Sequence, residues 1–445
     1  MDCSIISIGT ELNLGLILNK NSRYIAERIT ELGIECRYMF TVSDNSNDIC
    51  SVLKQSLRYS DLIIISGGLG PTDDDVTRYA VASALNLKLV RDRNLDSSSL
   101  RFIRKLKSKK ITERLLRQSY IPENSFPIKP KLGSASGFRV ELDSKKIIFC
   151  IPGVPKEMIS MFEKDVVPFL KDGMLRKDLR SNRFKVKKSI LLTTDISESE
   201  IEEKIKEIVS EAKEINVQIG ITADPGLIKI ILVTKSSDSM KAEKNLKIIE
   251  DKISSKLGNY FYGKDDNLIS DNLKEVIAKI GGGLTISTAE SITGGLISSI
   301  ITDTPGSSKF FLGGIVSYSD YSKIKLLDID ENILKKYGTV SREVCLNMAR
   351  KVREVFDSDY SLSVTGYAGP ETENEKVGLV YCCILGPDGY EKIFKKNFPG
   401  NRCEVKFRTA QFILNELRAA INEKTFTGRR ACSTITKIKM KKDYS

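Results

Sequence analysis

Apolar runs of strand length alternating with segments of helical period constrain this chain's fold more than any other feature. Residues 4–8 form a short apolar run. Residues 21–32 place Ile25, Ile29 and Leu32 on one helical face, and Gly33 follows as a stop signal. Residues 34–42 read as a strand, 47–59 as a helix and 61–65 as a buried strand. Alternation of this kind, from residue 4 to about 170, predicts a parallel sheet with right-handed crossovers. Ligands of such sheets gather at the carboxyl ends of the strands.

The 445 residues exceed one ordinary core, so two or three domains are expected. After the first domain, residues 1–170, a small α+β module is expected over 171–262. In it, 185–193, 217–221 and 227–234 read as strands around the turn Ala223-Asp224-Pro225-Gly226, and 197–215 and 239–257 as helices. It has neither a Gly-x-x-Gly clamp nor an aromatic stacking motif for RNA. A third domain over 263–425 opens with a helix at 268–280, ended by Gly281-Gly282-Gly283, and continues as mixed strands and helices. The lysine- and arginine-bearing stretch 426–445 reads as a basic, loosely attached tail.

Composition matters most through what is missing. The chain has no histidine, which removes Ser-His-Asp triads, Cys-His pairs and zincin motifs. Proton transfer then falls to Lys, Tyr, Asp, Glu or Cys, and any metal to oxygen ligands. The net charge of +12 is read as a solvated lysine-rich surface, or as attraction to anionic nucleotides. Tryptophan is absent and no aromatic residues interleave with a basic stripe, so no nucleic-acid partner is expected. No apolar run reaches the roughly 20 residues of a bilayer span, so no membrane partner is expected either. The N-terminus reads as a strand and not as a signal peptide, and nine scattered cysteines fit reduced thiols, so the expected location is cytoplasmic. The expected assembly is a homo-oligomer.

The run 62–65 leads into Ser66-Gly67-Gly68-Leu69-Gly70-Pro71-Thr72-Asp73-Asp74-Asp75-Val76-Thr77 and then a helix. Glycines after a strand let backbone amides close around a phosphate. The aspartates fit two readings: helix capping, or carboxylates that hold a divalent ion against a pyrophosphate. Gly9-Thr10-Glu11-Leu12, Asn21, Val42-Ser43-Asp44-Asn45, the 67–77 loop and Ile151-Pro152-Gly153-Val154-Pro155-Lys156-Glu157-Met158 together resemble the molybdopterin-binding-like domain of the CinA family. The resemblance implies metal-dependent ADP-ribose pyrophosphatase activity, with magnesium or cobalt near Glu11, Asp44 and Asp75. It places Gly67, Gly68, Gly70 and Thr72 on phosphate. Gly133-Ser134-Ala135-Ser136-Gly137 lacks the family's proline, and Gln118-Ser119 replaces its usual Gln-Ala; both changes bear on pocket shape.

Residues 284–295, Leu-Thr-Ile-Ser-Thr-Ala-Glu-Ser-Ile-Thr-Gly-Gly, read as a strand, a tight turn and a helix beginning near Thr293. Ser291 is therefore either an N-cap or a nucleophile whose oxyanion is held by the helix N-terminus and glycine amides. Gly313-Gly314-Ile315-Val316-Ser317-Tyr318-Ser319-Asp320-Tyr321-Ser322-Lys323 brings a tyrosine and a lysine from the end of a strand. A buried lysine with a depressed pKa can serve as the base that histidine cannot supply here.

The order of these motifs with Thr304-Pro305-Gly306, Gly338-Thr339-Val340-Ser341, Val364-Thr365-Gly366 and Gly400-Asn401-Arg402 resembles the nicotinamide-nucleotide amidase domain of the same family. The resemblance implies Ser291 as nucleophile, Lys323 as base, Tyr318 in support and Thr365 beside the carboxamide. It also implies Gly294 and Gly295 in substrate binding, Arg402 on the substrate phosphate, and no cofactor. Nicotinamide mononucleotide and ADP-ribose are the implied small-molecule partners. Ile292 stands where the family often has Cys, and the 365–377 loop is shorter than usual. Two alternatives stay open: a molybdopterin-type binding module, and an adaptor linked to competence or DNA damage.

Overall fold

The computed structural model describes residues 1–93, 95, 117–142, 146–175, 185–370 and 376–439. It forms two compact units, residues 1–187 with 235–242, and residues 188–234 with 243–445.

The first unit holds strands β1 (Asp2–Ile8), β2 (Glu35–Val42), β3 (Leu62–Ser66), β4 (Leu89–Arg91), β5 (Tyr120–Pro122), β6 (Phe126–Ile128), β7 (Gly137–Glu141) and β8 (Ile147–Ile151). Six of them form one sheet in the order β2-β1-β3-β8-β7-β6. The first four run parallel, and β7 and β6 add an antiparallel edge. Side chains alternate across a strand, so β3 feeds two cores. Ile63 and Ile65 pack with Ile49 and Leu53 of the helix Ser46–Tyr59, whereas Leu62 and Ile64 pack with Ile25 and Ile29 of the helix Lys20–Glu31. Helices on both faces explain why these strands read as continuous apolar runs.

The second unit joins the middle module to the C-terminal domain. Strands β9 (Lys185–Thr193), β10 (Val217–Asp224), β11 (Leu227–Ser236) and β12 (Phe261–Lys264) make a sheet ordered β10-β11-β9-β12. Two helices accompany it, Glu198–Glu214 with a Ser197/Glu200 capping box, and Ser239–Leu257. Leu192 and Tyr262 of this module enter the same buried cluster as Leu362, Val380 and Phe412 of the C-terminal domain. Shared apolar burial is the physical reason the two parts form one unit.

The C-terminal sheet comprises β13 (Ile286–Glu290), β14 (Phe311–Val316), β15 (Tyr360–Gly366), β16 (Leu379–Leu385) and β17 (Glu391–Asn397), ordered β14-β13-β15-β16-β17. β13 pairs in parallel with both β14 and β15; the remaining pairs are antiparallel. The α/β architecture expected for both ends is thus observed. One expectation differs. The backbone is helical from Arg402 to Lys439, so much of the expected loose tail continues a helix, to which each added residue contributes one bond. Residues 440–445 of that tail, and 371–375 of the shortened loop, lie outside the described residues.

Candidate active site

In the second unit Ser291 directly follows β13, a strand whose five residues are all buried. Its amide donates to the Val364 carbonyl at 3.0 Å, which locks the turn onto the neighbouring strand β15. The Gly294 amide donates back to the Ser291 carbonyl at 3.2 Å, and Gly294 and Gly295 have φ values of +61° and +94°. Two consecutive left-handed residues are what glycine accommodates without a Cβ penalty.

The helix expected near Thr293 begins at Leu296. The cause is Glu290, whose fully buried carboxylate accepts from the amides of Gly295 (3.0 Å), Ile297 (3.0 Å) and Ser298 (2.8 Å) and from Ser298 Oγ (2.6 Å). The expected use of the helix N-terminus on an oxyanion is corrected accordingly, because those amides already serve Glu290.

Lys323 does not come from a strand end. It lies in the helix Asp320–Leu327, which is started by a Ser319 side-chain cap. The residue is 0% exposed, and its Nζ stands 3.3 Å from Ser291 Oγ and 3.4 Å from the Tyr318 carbonyl. Burial pushes the amine below its ordinary pKa, while Asp320, with Oδ1 at 3.9 Å, pulls in the opposite direction. A lysine so placed holds a neutral amine more readily than one in water.

The other expected residues surround this pair. Tyr318 is exposed, and its phenol oxygen accepts from Arg402 Nη2 at 2.5 Å; Lys323 meets its main-chain carbonyl instead. Arg402 also donates through Nη1 to the Gly369 carbonyl at 2.6 Å. Thr365 is buried on β15 and donates to the Thr339 carbonyl at 3.0 Å. The hydroxyls of Thr293 and Ser317 are buried and without a partner among the described residues. Sequence reasoning did not single out Lys406. A side chain at Gly294 would meet its ammonium at 3.7 Å, and the signal was its position one helical turn beyond Arg402.

In the first unit a cavity of about 770 Å³ opens where β1 and β3 end. Gly9, Glu11, Asp44, Gly67, Gly68, Gly70 and Asp75 line it, together with Asn21 and Glu157, which the sequence reading quoted within motifs without giving them roles. Thr72 is not a lining residue; its amide and hydroxyl donate to Asp75 at 2.9 and 2.5 Å. Asp75 also accepts from the Gly70 amide at 2.7 Å, so it closes its own loop. Any side chain at Gly67 would clash with the Ile8 carbonyl, and one at Gly68 with Thr77 Oγ1. Burial raises the Glu157 carboxyl above its usual range, against a backbone hydrogen bond from Ala135.

The metal expectation was Glu11, Asp44 and Asp75 together. Among the described residues no group of three or more acidic, cysteine or histidine side chains is arranged to hold a metal ion. Asp44 instead accepts from the Thr10 amide and hydroxyl, both at 2.8 Å, and Asp75 folds back on its loop. These carboxylates do not fit a preassembled metal cluster. No helix among the described residues is long and apolar enough to cross a membrane.

Fold and site define a class of chain in which a molybdopterin-binding-type α/β domain and a small α+β module precede a second α/β domain with its own buried Ser-Lys pair. Residues 4–172 match the probable molybdopterin binding domain, 188–263 the damage-inducible protein CinA KH domain, and 270–421 the CinA C-terminal domain. The chain belongs to the CinA family. It is 38% identical over 413 residues to a Halothermothrix orenii protein named for competence-damage induction, covering 92% of this chain and 96% of that one. A CinA-like protein of Dictyoglomus thermophilum is 37% identical over 428 residues, covering 95% and 99%. Among solved structures, a CinA protein of Thermoplasma acidophilum has 30% identity and a TM-score of 0.35, and covers 38% of this chain and 96% of its own.

Proposed function

We propose that the C-terminal domain deamidates nicotinamide mononucleotide to nicotinate mononucleotide and ammonia. The observation that carries this reading is the fully buried Lys323 amine 3.3 Å from Ser291 Oγ in a chain without histidine. Neutral Lys323 takes the Ser291 proton as the oxygen attacks the carboxamide carbon. The tetrahedral intermediate collapses, the lysine returns the proton to the leaving nitrogen, and ammonia departs. Water, deprotonated by the same lysine, then hydrolyses the nicotinate ester of Ser291. Lys406, beside the Gly294 turn, and Arg402, one helical turn before it and against Tyr318 and Gly369, supply the positive charge for the substrate phosphate. The test is ammonia release from nicotinamide mononucleotide by the purified full chain; a folded protein that releases none refutes the reading.

A second reading concerns the N-terminal cavity and rests on its volume and its glycine-lined floor. It binds a nucleoside diphosphate, and ADP-ribose is the substrate to try. AMP formation from ADP-ribose that requires added magnesium or cobalt supports a pyrophosphatase. Tight binding without cleavage under either ion supports a molybdopterin-type carrier instead.

A further inference from the structure

Glu290 is a side chain that the proposed chemistry leaves without a role. It is fully buried, immediately precedes the nucleophile, and has no cationic side chain among the partners of its carboxylate. An isolated carboxylate is costly to bury unless donors surround it. Here they do. Oε2 accepts from the Gly295 and Ile297 amides, and Oε1 from the Ser298 amide and hydroxyl. Three of the four donors are backbone N–H groups, which cannot reverse into acceptors, so a glutamine would set its amide group against an amide donor.

We infer that Glu290 is the positioning residue that sets the nucleophile turn, holding Ser291 Oγ against the Lys323 amine. Three connections carry the argument. The Glu290 carboxylate anchors the residues directly after the turn, from Gly295 to Ser298. Its main-chain carbonyl accepts from the Ser317 amide at 2.9 Å, next to the Tyr318 carbonyl that Lys323 contacts. Its strand register opposite Val316 and Val364 fixes where Ser291 emerges. One residue thus ties together the strand before the nucleophile, the helix after it and the segment that carries the base. The carboxylate also occupies the Gly295, Ile297 and Ser298 amides, so these do not serve the developing oxyanion.

This inference rests on the Ser-Lys reading, and its test separates the two. Wild type, Glu290→Gln, Glu290→Ala and Ser298→Ala full chains are treated with a fluorophosphonate, and labelling of Ser291 is followed by peptide mass spectrometry. Ammonia release from nicotinamide mononucleotide is measured in parallel. Labelling reports nucleophile alignment without depending on the natural substrate. Misplacement of a reacting group by an ångström costs about a hundredfold, so Glu290→Gln should label and turn over about a hundredfold more slowly. KM of the folded fraction should hold near wild type while kcat falls, a split that loss of general stability would not give. Ser298→Ala removes one donor and should cost about tenfold in kcat. A folded Glu290→Gln that labels at the wild-type rate overturns the inference. So does an unfolded Glu290→Gln accompanied by a Ser298→Ala indistinguishable from wild type. Labelled wild type that releases no ammonia refutes the substrate while the labelling rates still decide on Glu290. Wild type unlabelled at Ser291 removes the dyad and this inference together.

Discussion

The two glycine turns of this chain are built alike and serve different ends. Each follows a fully buried parallel strand, β3 or β13, and each is closed by one carboxylate that accepts backbone amides. In the first unit the closing residue, Asp75, comes after the glycines and draws Gly70 and Thr72 inward, which leaves an open cavity of about 770 Å³. In the C-terminal domain the closing residue, Glu290, comes before the glycines, and the turn is pressed between β15 and a buried lysine. One arrangement suits cradling an extended anion. The other suits aligning one oxygen with one nitrogen.

The largest effect expected is on the tight turn. Ser291→Ala and Lys323→Ala should each lower ammonia release by about 10³-fold or more, since members of a nucleophile-base pair act as a unit. Both variants should leave ADP-ribose binding to the first unit untouched, as calorimetry would register. Asp75→Ala is the mirror test. Loss of the loop's internal acceptor frees three donors, and ADP-ribose affinity should fall about tenfold or more with ammonia release unaltered. If Asp75→Ala impairs both activities, the two turns are not independent.

Removing charge beside the tight turn should act on binding. Arg402→Ala and Lys406→Ala should each raise KM for nicotinamide mononucleotide about tenfold, with little change for the dephosphorylated nucleoside. An equal loss on both substrates would argue against phosphate contact. A smaller effect concerns pH. The proposed base role needs a neutral Lys323 amine, so kcat/KM should rise with pH through its depressed pKa. Asp320 opposes that depression, and Asp320→Asn should therefore move the rising limb to lower pH. An unmoved limb assigns it to another group.

Stability gives the last contrast. Lys323 has a lower pKa folded than unfolded, so the unfolded chain binds more protons between the two values, and wild-type stability gains as pH rises through that window. Lys323→Met lacks this gain. Its melting temperature relative to wild type should be highest below that window and should decline as pH rises through it, a trend readable by calorimetry.

Much of the frame was legible in the sequence. The strand–helix periods of the first domain appear where the pattern put them, because local propensity and burial on both sheet faces agree there. Ser291 and Lys323 were readable as candidates because a chain without histidine has few other bases. The helix start near Thr293 was misplaced, since a side chain five residues ahead of Gly295 takes that helix's first amides. Asp44 and Asp75, read as near a metal, both also accept from backbone amides in the fold. Spacing shows that carboxylates are near one another and not which backbone donors will claim them.

The sequence by itself determined the element types of the first domain and the identity of the groups able to move a proton. Only the tertiary structure decided that Lys323, 32 residues from Ser291, loses its water beside that serine, that Arg402 reaches Tyr318, and that Glu290 fills the helix end. Periodicity and capping act over a few neighbouring residues. Desolvation and hydrogen bonding between strands depend on which surfaces meet in space, and the pairing of β13 with β14 and β15 sets that.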